Sequence, residues 1–433
     1  MKTKIVISLA ALLFSMYVSA QHVWTLQQCV DTAWANNRNV KQQELTRKIR
    51  KINYEQARLN LLPNLNASAN QSWSFGRSLN VSNTYQNTNA AQTSFGISSG
   101  ITLFDGLKMK YNIDAQKANL LASDADLQKM KMDIATNVTA GFLQIVLNKE
   151  LLQIAVDQVK LTTSKIKQQK ELVAAGKLAE GEILNLVAQQ AKEEMNRTNA
   201  ENTLKLSLLD LAQYLELDHF EDLDVAIPDN IIDSELSLLS PDAIFNSAIT
   251  HRPEIKSAEY KLENSELSVK TTEADYYPSL SLGAQYGTGY YKLSNVPNNS
   301  FSKQLNDNMS AGLSLNLQVP IFNKFDVRNR VRSAIIGIKS SQLNLDNAKL
   351  ELKKTIQQSY YNAISAKSRW EAATKSEAAN REAFRFANEK YEAGRATVYE
   401  LYQAKSNLTQ ALSEEAQAKY EYFYRVKLLE YLK

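Results

Sequence analysis

The side chains most often used for catalysis or metal binding are scarce in this chain and widely spaced. Its three histidines, His22, His219 and His251, are far apart in sequence and show no metal-ligand spacing. The single cysteine, Cys29, has no plausible base nearby in sequence, and it excludes an intrachain disulfide. No glycine-rich phosphate loop is present. We therefore expect no catalytic residue, no cofactor and no metal site, so the chain is not predicted to be an enzyme. Cys29 is interpreted as a small buried thiol on an early helix.

Composition favours helices and argues against a nucleic-acid partner. Only 13 Gly and 7 Pro occur in 433 residues, whereas Ala, Leu, Gln, Glu and Lys are abundant. The 50 basic and 46 acidic residues leave a formal charge of +4. Such a small and dispersed excess does not indicate binding to nucleic acid.

The first twenty residues have the pattern of a secretory signal peptide. Lys2 and Lys4 precede a short apolar core, and Val18-Ser19-Ala20 offers small residues for cleavage, so residues 1–20 are expected to be removed. An uncleaved anchor is the alternative, although the apolar run is short for a bilayer span. No later stretch reaches the 18 or so apolar residues of a transmembrane helix. Because Cys29 lies nine residues beyond the cleavage site, lipidation is not expected.

An internal repeat organises the mature chain. Leu62-Pro63-Asn64-Leu65 recurs as Tyr277-Pro278-Ser279-Leu280, 215 residues later. Ala175-Gly176-Lys177 recurs as Ala393-Gly394-Arg395, 218 residues later, so the second copy gained three residues in between. We expect a first repeat at 21–217, an acidic and irregular connector at 218–240 and a second repeat at 241–433.

Each repeat contains two segments in which apolar and polar residues alternate. In the first segment Leu65, Ala67, Ala69, Trp73 and Phe75 alternate with Asn and Ser, and Gln71 is the one exception. The same period of two recurs over 95–103, 280–290 and 309–319, which predicts strands with one apolar face. Asn- and Ser-rich connectors at 76–92 and 291–307 are expected to join these strands into β-hairpins at about 64–104 and 278–320.

The remainder of each repeat is predicted to be helical. Between Lys108 and Ala174 the chain has no Pro and one Gly. Its apolar residues recur every seven positions, as in coiled coils, at Val138, Ile145, Leu152, Val159, Ile166 and Val173. Such a helix is about 100 Å long. Turns at Gly176 and Gly394 lead into returning helices, which gives long helical hairpins over 107–217 and 325–432.

The apolar strand faces need a place to be buried. Lipid is one solution, and in a bilayer only a closed barrel pairs every backbone donor and acceptor. Transmembrane barrels begin at about 8 strands, so the predicted strands of one chain are too few and would be shared among several chains. A soluble β-sandwich is the alternative explanation of the alternation alone. The helical hairpins have apolar seams that suit neighbouring hairpins, so a hollow cylinder of helices is expected.

Several motifs of the chain, and their order within the repeat, resemble those of the TolC-type outer-membrane efflux family. They are the helix-to-strand junctions at Pro63 and Pro278, the Leu103-Phe104-Asp105-Gly106 exit, the Tyr391-Glu392-Ala393-Gly394 turn, and then Thr397, Glu400, Leu401 and Ala404. The resemblance covers essentially all of the mature chain. It implies a mainly α fold with a small transmembrane β part. In such a homotrimer, long coiled-coil hairpins form a twelve-helix periplasmic tunnel, and the strands share a twelve-stranded barrel.

The resemblance also implies a location and partners. The channel lies in the outer-membrane lipid of a Gram-negative bacterium, and its long periplasmic portion docks a periplasmic adaptor (membrane fusion protein) and an inner-membrane transporter that supplies energy. The implied function is a passive exit duct of a tripartite efflux pump for drugs and xenobiotics. Type I secretion and heavy-metal cation efflux are alternatives for the cargo. A periplasmic coiled-coil scaffold without a pore is the alternative architecture.

Residues near the two turns match family positions with known roles. The positions that line the periplasmic aperture are matched by Glu182 and Glu400, six residues after Gly176 and Gly394, and by Asn185 and Gln403, nine residues after them. A ring of carboxylates there would attract cations, and a solvated glutamate on a helix surface is the alternative. Because the ninth positions are amides, a double acidic ring is not expected.

The same comparison implies a latch and an adaptor contact. Tyr391 matches a family position that latches adjacent hairpins. Arg395 is one residue away from the usual latch arginine, whose place is taken by Ala396. A latch in this chain must therefore use other partners. The turns at 174–183 and 392–401 are the expected adaptor contacts.

Overall fold

The computed structural model describes residues 23–79, 83–176, 180–218, 223–227, 240–294 and 296–432. The expected signal peptide at 1–20 and most of the expected connector at 218–240 lie outside these residues. The described chain divides into two compact units. The sheet unit consists of Thr46–Ala125 and Lys256–Asn347, and the helical unit contains the other described residues.

The two halves of the chain contain similar elements. The first half contains β1 (Val23–Trp24), α1 (Leu26–Asn36), α2 (Arg38–Leu59), β2 (Asn64–Ser74), β3 (Arg77–Leu79), β4 (Tyr85–Asn87), β5 (Ala90–Phe104), α3 (Lys108–Ala174) and α4 (Gly181–Leu215). The second contains β6 (Asp224–Val225), α5 (Pro241–Ala248), α6 (Pro253–Glu273), a 3-10 turn (Ala274–Tyr276), β7 (Ser279–Leu293), α7 (Phe301–Asp307), β8 (Ser310–Gln318), α8 (Asp326–Glu392) and α9 (Val398–Leu432). Both α3 and α8 have 67 residues, and both α4 and α9 have 35. The predicted long helices and the four main strands are confirmed.

The connectors contain more structure than their composition predicted. Within 76–92, β3 and β4 form an antiparallel ribbon, and within 291–307 the short helix α7 begins after Ser300, whose hydroxyl accepts from the Lys303 amide. The Gln304 amide pairs with the backbone of Tyr291. In the connector at 218–240, β6 pairs with β1 in parallel. Within 291–307, Asn, Gln and Ser side chains cap the short helix and form hydrogen bonds with the backbone. A polar segment therefore need not be irregular.

The core of the helical unit is built from the predicted seven-residue spacing. Val138 and Ile145 are fully buried, Val159 and Ile166 nearly so, and the other two seam positions are half-buried. Residues from α1, α4 and α9 complete this core. Cys29 is completely buried there, and burial raises the pKa of its thiol to about 12. The thiol is therefore protonated at neutral pH. The predicted burial of Cys29 on an early helix is confirmed.

The turn that connects β5 to α3 depends on a glycine. Gly106 has a φ of +69°, and a Cβ placed on it would lie 2.7 Å from the Ala274 carbonyl oxygen and 2.8 Å from the Tyr277 Cβ. The corresponding positions of the second half, Lys324 and Phe325, have φ values of 53° and 64°. The left-handed turn is thus present in both halves, but only the first is too crowded for a side chain.

We expect Gly106→Ala to destabilise the protein by about 2 kcal/mol or more, because left-handed strain adds to a clash with the Ala274 carbonyl oxygen and the Tyr277 Cβ. Thermal unfolding followed by circular dichroism would measure the change. Gly337→Ala is the matched control, since Gly337 lies in α8 with open space where its Cβ would be. That control should be neutral or stabilising by up to about 1 kcal/mol. Equal melting temperatures for the two variants would contradict the prediction.

Candidate functional site

The four long strands form one antiparallel sheet in the order β2-β5-β7-β8. The pairs β2–β5 and β7–β8 are the two predicted hairpins. The third pair, β5–β7, joins the two halves of the chain from Ala90 to Phe104, with one irregularity near Thr102. No short turn connects these two strands, so their pairing has no local sequence signal.

One face of this sheet is apolar across all four strands. The register aligns Ala67, Ile97, Tyr286 and Ala311 in one row. These side chains and their alternate neighbours point to the same side, because successive residues of a strand face opposite ways. Leu65, Trp73 and Leu313 on this face are 76%, 65% and 81% exposed. Such a large apolar surface on a single chain indicates burial against lipid or another protein.

The opposite face is polar or lacks side chains. A row such as Ser68, Gly96, Gly287 and Ser310 contains only small residues. Gln71 is the exception noted in the sequence, and it lies on the apolar face. There the Thr93 hydroxyl, directly across on β5, donates a hydrogen bond to the Gln71 side-chain oxygen. The side-chain oxygen of Gln71 therefore has a hydrogen-bond partner within the sheet.

Both outer strands of the sheet have an unpaired edge within the described residues. β2 pairs only with β5, and β8 pairs only with β7. Each edge presents a row of backbone donors and acceptors to any strand placed beside it. The strands begin sharply: Pro63 and Pro278 directly precede β2 and β7, where a missing backbone amide costs nothing to the ladder. The two prolines thus lie at the predicted helix-to-strand junctions.

The candidate aperture residues lie at the start of the returning helices. The side chain of Glu182 lies outside the described residues, and Asn185 is exposed. Glu400 forms a capping box with Thr397: the Thr397 amide donates to the Glu400 carboxylate at 3.0 Å, and the Glu400 amide donates to the Thr397 hydroxyl. Gln403 is exposed and donates to Asn407. In this chain the Glu400 side chain therefore caps α9, a function that its position after the turn glycine did not predict.

A pair of polar contacts connects the ends of α3 and α8 inside the helical unit. The Gln169 amide donates to the Tyr391 hydroxyl at 2.6 Å, and Lys165 forms an ion pair with Glu392 at 2.9 Å. Hydrogen bonds from Lys165 and Asn388 lower the pKa of Glu392, so this carboxylate is charged at neutral pH. Tyr391 thus contacts another helical hairpin. The Arg395 backbone amide donates to the Lys390 carbonyl and closes the turn.

A buried ion pair was not foreseen from the sequence. Lys405 on α9 and Glu193 on α4 lie 2.7 Å apart, and their side chains are only 7% and 8% exposed. Thr162 on α3 donates to the second Glu193 oxygen at 2.6 Å. Burial lowers the pKa of Lys405 below its usual 10.5, which the charge and hydrogen bond of Glu193 oppose. One signal was available, since Lys405 is four residues after Leu401 on the buried side of α9.

Neither a metal-binding cluster nor a membrane-spanning helix occurs in the described part of the chain. No group of three or more His, Cys, Asp or Glu side chains there is arranged to hold a metal ion. Among the described helices, none combines the length and apolarity needed to cross a bilayer. His251 bonds to Thr250 and the Ser247 carbonyl in an ordinary helix end, whereas His22 and His219 lie outside the described residues.

Comparison with known proteins gives one family. A family model described as "Outer membrane efflux protein" matches residues 29–216 and 244–429. The chain is 21% identical to the toxin and drug export protein A of Aggregatibacter actinomycetemcomitans over 422 residues, which covers 94% of this chain and 84% of that protein. It is 24% identical to the cation efflux system protein CusC of Escherichia coli K12, over 79% of this chain and 72% of CusC.

Solved structures with the same fold agree with this match. A membrane protein from Pseudomonas aeruginosa superposes with a TM-score of 0.79 at 17% identity, covering 94% of this chain and 93% of that one. The outer membrane protein VceC of Vibrio cholerae gives a TM-score of 0.77 at 14% identity, with coverages of 94% and 95%. The fold of this chain is therefore that of known outer-membrane channels, and both halves of the chain take part in the match.

Proposed function

This chain belongs to the outer membrane efflux protein family, and we propose that three copies form one continuous exit channel. As a member of the family, it is an outer-membrane component of an efflux system. We propose two repeats, at 21–217 and 241–433, each of which contributes one β-hairpin and one helical hairpin to the assembly.

The observation that carries the proposal is the open sheet with one apolar face. In lipid, an unpaired strand edge would leave backbone groups without partners, which costs several kcal/mol for each group. Closing the edges of β2 and β8 against neighbouring copies removes this cost. Three copies of the sheet would supply twelve strands, with the apolar faces toward lipid and the serine- and glycine-rich faces toward the lumen.

The helical hairpins are proposed to form the periplasmic tunnel. Their turns, at Gly176 and Gly394, would contact a periplasmic adaptor, and an inner-membrane transporter would supply the energy. Glu182, Glu400, Asn185 and Gln403 are proposed to lie near the aperture. Since Glu400 is already held by Thr397, we expect its carboxylate to act mainly as a helix cap, with its charge as a secondary contribution.

We propose drugs and other xenobiotics as the cargo, in line with the printed name of one relative, a toxin and drug export protein. A strain that lacks this chain should become more sensitive to several unrelated antibiotics and dyes. If this strain became sensitive only to metal cations, the cargo would be a cation and not a drug. The printed name of CusC gives cations as the cargo of that protein. An unchanged profile toward both groups would contradict a role in export of either.

The channel itself is tested by conductance. Purified protein added to a planar lipid bilayer should produce discrete current steps, and the same preparation should run as a heat-modifiable oligomer from the outer-membrane fraction. A monomer recovered from the soluble periplasmic fraction, without current steps, would instead support the scaffold without a pore.

Tyr391→Phe should increase the open fraction of the channel. The change removes the acceptor of the buried Gln169 amide, whose other side-chain atom, Oε1, already lacks a partner. The loss of one such hydrogen bond costs about 1 kcal/mol, and three chains would add to about 3 kcal/mol. Current through planar bilayers should therefore rise by about two orders of magnitude if the latches limit opening.

The matched control is Tyr399→Phe, because Tyr399 lies near the same turn and is 76% exposed. It removes the same hydroxyl without breaking a contact between helices. If both variants conducted like the natural protein, the contact between Gln169 and Tyr391 would have no part in gating.

A further inference from the structure

The junction between β8 and α8 carries an unusual group of residues. Apolar side chains continue past the end of β8 through Val319, Ile321 and Phe322, and Ile321 is 94% exposed. Phe325 follows, and its ring packs edge-to-face on Phe322 at 5.6 Å. The apolar face of the sheet therefore ends in a pair of exposed aromatic rings, which is typical of the border between lipid tails and headgroups.

Basic residues begin where these aromatic rings end. The segment 324–332 contains Lys324, Arg328, Arg330 and Arg332 with only one acid, Asp326, which leaves a charge of +3. Asp326 and Asp275 both pair with Arg330. Within the described part of the chain, no carboxylate forms an ion pair with Lys324, Arg328 or Arg332. These three cations are exposed and uncompensated.

The repulsion among these like charges would be relieved by a bound anion. Arg328 and Arg332 are four residues apart on one helix face, where like charges repel. They lie in the first two turns of α8, where the helix dipole is also positive. The corresponding segment of the first half, 106–114, carries two lysines and one aspartate, so the excess is specific to the second half.

The backbone of the junction turns through two left-handed residues just before α8. Lys324 and Phe325 both have positive φ values, 53° and 64°, although neither is glycine and the first half uses Gly106 at the first position. The Arg328 guanidinium lies 4.2 Å from the centre of the Phe325 ring. The first half has the same left-handed pair, at Gly106 and Leu107, so the turn itself belongs to the fold. In the second half this turn places a cation beside an exposed ring.

We propose that this junction binds the headgroup of an anionic phospholipid, with Lys324, Arg328 and Arg332 around the phosphate and Ile321 and Phe322 among the acyl chains. The occupant is a lipid because the cations are continuous with the apolar face, which a free anion would leave uncovered. The inference rests on the proposed membrane position of that face. It adds a headgroup preference that the channel alone does not require.

The test uses the full-length oligomer in non-ionic detergent, titrated with phosphatidylglycerol or with phosphatidylcholine of the same acyl chains, and bound lipid is counted by native mass spectrometry. We expect a preference for phosphatidylglycerol. Arg328→Gln with Arg332→Gln should weaken its binding by about fivefold for each arginine, about 25-fold in all. The control, Arg381→Gln with Arg385→Gln, removes the same charge from the far end of α8 and should leave binding unchanged.

Three results would overturn the proposal. Equal binding of both lipids, or an unchanged double variant, would remove the headgroup site. Displacement of phosphatidylglycerol by millimolar inorganic phosphate would indicate a simple phosphate site. Loss of the oligomer by the double variant in lipid-free detergent would assign the arginines to the contact with a second copy. Conductance of the same preparations reports on the channel separately, so a channel without lipid preference would leave the proposed function intact.

Discussion

Replacing Glu193 by alanine is expected to lower the free energy of unfolding of the helical unit by about 3–5 kcal/mol, the cost of leaving one member of a buried ion pair without its partner. Glu193 lies 2.7 Å from Lys405 and also accepts hydrogen bonds from Thr162 and Gln189. In the variant, the Lys405 ammonium would remain inside the hairpins with only the Thr162 hydroxyl and the Gln158 carbonyl as acceptors. No other single side-chain contact in the described helices combines two charges with such deep burial.

Denaturant unfolding of the full-length protein in detergent, followed by circular dichroism at 222 nm, would measure this loss. Glu194→Ala is the matched control, since it removes the neighbouring, exposed carboxylate from the same helix. Its effect should stay within about 0.5 kcal/mol. If both variants unfolded at the same denaturant concentration, the pair would be shown to contribute little.

A double substitution separates the ion pair from its surroundings. Glu193→Leu with Lys405→Met replaces both charges by apolar side chains of similar size, which is often neutral or stabilising for buried pairs. We expect the double variant to be more stable than Glu193→Ala. If it were equally unstable, the cause would be packing around α4 and α9 and not the unpaired charge.

Leu315→Arg is expected to prevent stable assembly in the outer membrane. Leu315 lies in the central part of β8, on the apolar face, and is 65% exposed in the single chain. An arginine facing lipid near the middle of the bilayer costs about 2–4 kcal/mol. Three copies in a trimer would bring this to roughly 6–12 kcal/mol, enough to shift the protein from the membrane to degraded or aggregated forms.

Asn316→Arg is the matched control for this experiment. It places the same charge on the adjacent residue of β8, which faces the other side of the sheet. We expect the heat-modifiable oligomer to be lost for Leu315→Arg and retained for Asn316→Arg in outer-membrane fractions. Loss of the oligomer for Asn316→Arg alone would mean that the apolar face points into the lumen. Retention of the oligomer in both variants would exclude contact of either face with lipid.

The elements of this fold follow from patterns that are local in the chain. Alternation with a period of two specifies the strands and their faces, and a period of seven specifies the long helices, because each pattern reflects the geometry of one element. The turn glycines and the prolines at the junctions act through their own φ angles. The buried Cys29 and the hairpin pairs could be predicted for the same reason.

Contacts between segments that are distant in the chain could not be predicted from such local patterns. The pairing of β5 with β7 and the bond between Gln169 and Tyr391 depend on how packed elements are rotated and shifted against one another. A lipid site at the basic junction 324–332 was not predicted either. Its charges are spaced along the chain, and only the structure shows that they lie beside exposed aromatic rings.

The buried pair of Glu193 and Lys405 illustrates the difference most clearly. In the sequence, each is an ordinary charged residue of a long helix, 212 positions from the other. Their meeting depends on the rotation of α4 and α9 about their axes, which the packing of many apolar side chains determines together. Apolar periodicity therefore specifies which elements form, while the placement of the few polar groups inside them is a property of the packed structure.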